Sequence, residues 1–174
     1  MNKAIFVFVA AATTLGSIGC AERVAPTAKA ASVEQRRCNG PQAAAEDLRL
    51  LQSTAVLGAR PLYSHVITGK NDTEERVTGA QLEVRPPEGV SPERLTRALQ
   101  CHSAQVLLGQ VDPSSLAADD PYWLPEAWLD IQVKPGDGNQ VVVLRADSVP
   151  DGLKVLHRAT AFAESHGTPS TQIP

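Results

Sequence analysis

The stretch AWLDIQVKPGDGNQVVVL, residues 127–144, decides the fold. Leu129, Ile131 and Val133 alternate with Asp130, Gln132 and Lys134, the period of two that belongs to a strand with one buried and one wet face. Pro135-Gly136-Asp137-Gly138-Asn139 is turn chemistry, and Val141 to Leu144 returns as a second strand. This turn is too short for the crossover that a parallel pair needs, so the two strands form an antiparallel hairpin.

Helices are expected on either side. Downstream, Ser148 or Asp147 caps a helix running to about Ala163, with Val149, Leu153, Leu156 and Thr160 inward. Upstream lies a long loop from Asp112 to Pro125, with three prolines and the adjacent acids Asp119-Asp120; its length marks it as functional or mobile. Before that loop, Ser91-Pro92-Glu93 combines a hydroxyl cap, a first-turn proline and a carboxylate placed for the helix dipole. This helix should run to about Leu108 and stop at Gly109, with Leu95, Ala98, Leu99, His102 and Val106 as its apolar stripe.

Earlier still, Val77 to Arg85 alternates Ala80, Leu82 and Val84 against Gln81, Glu83 and Arg85, and Pro86-Pro87 ends that strand. Leu62 to Thr68 is a β-branched and aromatic run that reads as its neighbour, separated by the polar stretch Gly69 to Glu75. Gly40-Pro41 opens a helix through about Val56, with Ala44, Leu48, Leu51 and Ala55 on one face and Gly58 as its stop. The order helix, strand, strand, helix, strand, strand, helix gives an α+β class: a two-layer sandwich, its sheet mixed or antiparallel and its helices on one face. A doubly wound parallel fold would need strict alternation of strand and helix.

Residues 1–20 read as an export signal: Lys3, then an apolar run of nine residues from Ala4 to Ala12, then small residues ending at Gly19-Cys20. The run is too short to span a bilayer, which takes about twenty residues. Ser17-Ile18-Gly19-Cys20 resembles the lipobox of bacterial lipoproteins, with Gly19 and Cys20 on the pattern and Ser17 where Leu is usual. The resemblance implies a lipid on the Cys20 sulfur, and Ala21 in place of Asp implies the outer membrane. The other exit from the signal is ordinary cleavage after Ala21. Residues 21–38 show no apolar period and read as a flexible tether, 39–166 as a single domain, and 167–174 as a disordered tail.

If Cys20 carries lipid, Cys38 and Cys101 remain as an even pair in an oxidising compartment. A bridge between them would contribute roughly 4 kcal/mol on the chain-entropy estimate. The alternative is two unpaired thiols.

Charge and composition narrow the function. From Asn39 onward 11 basic residues face 17 acidic ones, and no Lys/Arg cluster is present, which excludes a phosphate-backbone binder and leaves no nucleic-acid partner. The aromatic residues after the signal are Tyr63, Tyr122, Trp123, Trp128 and Phe162, so the core is aliphatic. Asp119, Asp120, Tyr122, Trp123 and Trp128 bring carboxylates beside aromatic rings, the composition of a surface for an envelope protein or a small ligand. Cys101-His102 pairs a soft thiolate with an imidazole and supplies the alternative, a metal-binding or redox-active protein. Adjacent helical residues point about 100° apart, so His102 reads as a core histidine. His65, His157 and His166 lack ligand spacing, and Ser64-His65 has no nucleophile elbow. No catalytic constellation and no cofactor motif is read. The expectation is an exported, lipid-anchored, non-enzymatic binding module.

Overall fold

The computed structural model describes residues 24–38, 40–67 and 73–167. Four helices and four strands follow in the order α1 (Pro26–Arg37), α2 (Gly40–Ser53), β1 (Ala55–Ile67), β2 (Thr73–Arg85), α3 (Pro92–Leu107), β3 (Leu129–Pro135), β4 (Gln140–Ala146) and α4 (Val149–His166). A single 3₁₀ turn, Pro113–Ser115, interrupts the loop before β3. The fold is α+β.

All strand pairs are antiparallel, in the order β1-β2-β4-β3. The hairpin of residues 127–144 closes in the register its alternation requires, Ile131 opposite Leu144 and Val133 opposite Val142. Each hairpin contributes its second strand to the centre, β2 against β4. Each following helix packs on the other hairpin: α3 lies on β3, and α4 on β2 and β1. Neither ββα unit therefore buries its own apolar surface alone.

One sheet face carries Ala80, Leu82, Val84, Leu129, Ile131, Val142 and Leu144, all buried against Leu95, Leu99, Val155 and Ala159 from the helices. The opposite face surrounds Val143 with polar side chains, Arg60 Nε of β1 donating to Gln81 of β2 at 3.0 Å and Asn139 Nδ2 of the β3–β4 turn to Glu83 of β2 at 2.7 Å. The outer edge of β3 is covered by α3, where Gln100 Nε2 donates to the Ile131 carbonyl at 2.7 Å and Thr96 Oγ1 accepts from Val133 N at 3.0 Å. These side chains satisfy backbone groups that would otherwise offer a template to another chain.

Three local expectations need correction. Most of the tether expected at residues 21–38 is helix α1, packed on α3. Within it only Ala30 is buried, and no large apolar repeat of the kind that marks an amphipathic helix runs along it. The first strand starts at Ala55, so α2 ends at Ser53 and Gly58 lies within β1. In α2 the buried residues include Asp47 and Leu50, while Leu48 is 45 % exposed. In α4 the buried residues are Gly152, Val155 and Ala159, and Leu153 is 50 % exposed. A Cβ at Gly152 would lie 2.7 Å from the Thr78 backbone, so the helix rests directly on β2 through its smallest residue.

Cys38 and Cys101 form a disulfide with Cα atoms 5.6 Å apart, tying the end of α1 to the middle of α3. The signal segment, with Cys20, and residues 168–174 of the expected tail lie outside the described residues.

Candidate functional site

Helix α3 presents His102 from its buried face, as its stripe requires. What it meets comes from the loop before β3. Asp112 Oδ1 accepts from Ser114 N at 2.9 Å and starts the 3₁₀ turn, after which the chain folds back so that Asp120, Pro121 and Tyr122 are buried. His102 Nε2 lies 2.8 Å from Asp120 Oδ2, both side chains 9 % exposed. Tyr122 N donates to the other carboxylate oxygen, Oδ1, at 2.9 Å. An ionised carboxylate only accepts, so with Asp120 ionised this pairing requires a proton on His102 Nε2.

Tyr122 meets Phe162 of α4 edge-on, with ring centroids 5.8 Å apart, and Phe162 stacks on His166 at 4.2 Å. Burial, and then the nearby Asp120 charge, push the Tyr122 phenol far above its ordinary range, so its hydroxyl stays protonated.

These groups line a cleft of about 730 Å³ between α2, α3, the 111–120 segment and the end of α4. Its apolar wall includes Leu48, Leu51, Val56, Leu116 and Phe162, and its buried polar end is formed by His102, Asp120 and Tyr122. The size is that of a small-molecule site, and apolar walls with a few convergent polar groups are the usual construction of one. Asp47 also lines the cleft, with Oδ1 3.3 Å from Arg97 Nη2.

The five residues singled out between 119 and 128 do not form one surface. Asp120 and Tyr122 face the cleft. Asp119 accepts from Ser165 Oγ on α4. Trp123 is half-buried beneath the Arg158 guanidinium, 5.1 Å from its ring centroid, and Trp128 is half-buried just before β3. Burial lowers the pKa of Arg158, with Asp120 and Asp119 opposing the shift. No local signal in the sequence marks Leu51, Leu116, Phe162 and His166 as members of this site: they come from three separate segments that only the fold brings together.

The metal alternative loses its first ligand, because the Cys101 sulfur is consumed in the disulfide. Among the described residues no group of three or more His, Cys, Asp or Glu side chains is placed to hold a metal ion. His65 stands 3.7 Å from Glu75 on the exposed end of the first hairpin, remote in sequence and fold from His102. Among the described residues no helix is long and apolar enough to cross a membrane.

No protein-family model matches this chain, and neither a curated protein nor a solved structure does.

Proposed function

We propose that this chain is an exported, lipid-anchored envelope protein whose folded domain is a non-enzymatic binding module for a small, largely apolar ligand. The observation that carries the binding role is the 730 Å³ cleft with apolar walls and a buried His102–Asp120 pair at one end. Export and anchoring rest on the signal segment and on Cys20 alone. Because α1 begins at Pro26, only residues 21–25 separate Cys20 from the domain, a span of at most about 22 Å. An acylated Cys20 would hold the domain close to the bilayer, where apolar ligands partition.

The binding role is tested with a neutral, environment-sensitive fluorophore, N-phenyl-1-naphthylamine. The wild type should bind it saturably with one site per chain, and Ala117→Trp, which places an indole at the cleft wall, should abolish the signal. Absence of saturable binding to the wild type overturns the reading. Anchoring is tested separately: labelled fatty acid should enter the wild type and not Cys20→Ala, and equal labelling of both, or of neither, removes the lipoprotein assignment.

A further inference from the structure

We infer that the ligand carries an uncharged hydroxyl, an alcohol or a phenol on an apolar body, and that the cleft rejects anions. This rests on the binding role proposed above and concerns the chemistry of the same site.

The charges facing the cleft point one way. Among the described residues its lining contains two carboxylates, Asp47 and Asp120, and no lysine or arginine. The other polar lining groups are neutral amides and hydroxyls, such as Gln52, Gln105 and Ser115, and the imidazoles of His102 and His166. Arg97, which neutralises Asp47, is not part of the lining. An anionic headgroup would enter a partly apolar cleft beside carboxylates and find no cation.

The hydrogen-bonding capacity is equally specific. With Nε2–H committed to Asp120, the remaining nitrogen of a neutral His102 ring, Nδ1, is an acceptor. Among the described residues Nδ1 has no hydrogen-bond partner, and it is not one of the buried orphan atoms, which are Arg97 Nε, Ser103 Oγ, Trp123 Nε1, Gln140 Oε1 and Arg158 Nε. It therefore retains accessible surface, and the opening at His102 is the cleft. The same holds for Tyr122 Oη, a protonated phenol able to donate or accept. Asp120 has both oxygens engaged, by His102 and by Tyr122 N, and so orients the imidazole. An acceptor nitrogen and a phenol in one polar end match a group that both donates and accepts. A hydroxyl does both; a carboxylate does only the second.

The experiment is displacement of N-phenyl-1-naphthylamine from the purified full chain by 1-octanol, octanoate and octylammonium, at roughly pH 8, above the ordinary imidazole range. Octanol should displace the probe at about tenfold lower concentration than octanoate, a factor within reach of one satisfied polar contact against one repelled charge. His102→Gln keeps an N–H for Asp120 and replaces the Nδ1 acceptor by an amide oxygen displaced from the ring position, and it should reduce the octanol-to-octanoate preference about threefold or more. The ratio cancels any general weakening of the cleft. If His102→Gln fails to fold, Tyr122→Phe tests the second group by the same ratio. Octanoate equal to or better than octanol overturns the hydroxyl assignment while leaving the binding role standing, as does an unchanged ratio in the variants. Octylammonium displacing more strongly than octanol also overturns it, in favour of a cationic ligand. Absence of probe binding strikes the binding role itself.

Discussion

His102 was legible as the centre of the α3 stripe, and it is 9 % exposed in the fold. Its partner was not legible, because Asp120 lies 18 residues away in a loop whose two acids read together as part of one binding surface. The fold separates them: Asp120 turns in to the imidazole, while Asp119 meets Ser165. The consequence is that truncating the ring leaves a buried carboxylate supported only by Tyr122 N. His102→Ala should therefore cost about 2–4 kcal/mol, most of it the penalty of a buried carboxylate left short of a hydrogen bond. Urea unfolding checks this, and a variant as stable as wild type would contradict the buried pair. His102→Gln, which keeps a donor toward Asp120, should lose less than half as much.

At the scale of elements, the capped start of α3 was legible to the residue and that of α4 to one of two neighbours, while the buried faces of α2 and α4 were not. Ser91 and Ser148 cap α3 and α4 as their hydroxyls imply, with Ser91 Oγ accepting from Arg94 N at 3.3 Å and Ser148 Oγ from Asp151 N at 3.2 Å. Ser148 Oγ also donates to Asp151 Oδ2 at 2.7 Å. Hydrogen bonds from Lys154 and then Ser148 hold the Asp151 carboxyl below its ordinary range. A depressed carboxylate stabilises the fold above its unfolded pKa, and that contribution is lost as pH falls through the lower, folded value. Asp151→Asn should accordingly lose about 1 kcal/mol at neutral pH. Thermal melts from pH 7 downward should show the gap to wild type closing in acid, and a gap that widens there would contradict the sign.

Faces misread because the contacts are made by small residues. The α4 stripe is Gly152, Val155 and Ala159, and the bulkier Leu153 points outward. Gly152→Ala drives a Cβ to within 2.9 Å of three backbone atoms of β2, which cannot step aside as a side chain would. It should cost about 2 kcal/mol or more, against a change within about 0.5 kcal/mol for Gly58→Ala, where a Cβ meets open space. Equal effects of the two substitutions in denaturant titrations would refute the direct helix-on-strand contact.

At the scale of the molecule, the disulfide joins residues 63 apart and secures α1, whose buried apolar contribution is little more than Ala30. Reduction should remove about 4 kcal/mol on the chain-entropy estimate. Urea midpoints with and without reductant measure it, and the double variant Cys38→Ser, Cys101→Ser should show no response to reductant. A wild type equally indifferent to reductant would mean that the bridge contributes nothing.

The sequence by itself determined what depends on neighbours along the chain: the alternation of 129–134 and of 80–85, the turn between β3 and β4, the capped starts of α3 and α4, and so the α+β class. These signals are local, since a period of two or a capping hydroxyl expresses its preference within a few residues. The tertiary structure alone decided the order β1-β2-β4-β3, the exchange of helices between hairpins and the conversion of the expected tether into α1. It alone also assembled the cleft, which draws Leu51, His102, Asp120 and Phe162 from four segments. Contacts made by alanine and glycine carry no hydrophobic period, and the pairing of a helical imidazole with a distant loop carboxylate is set by packing, which no window of sequence contains.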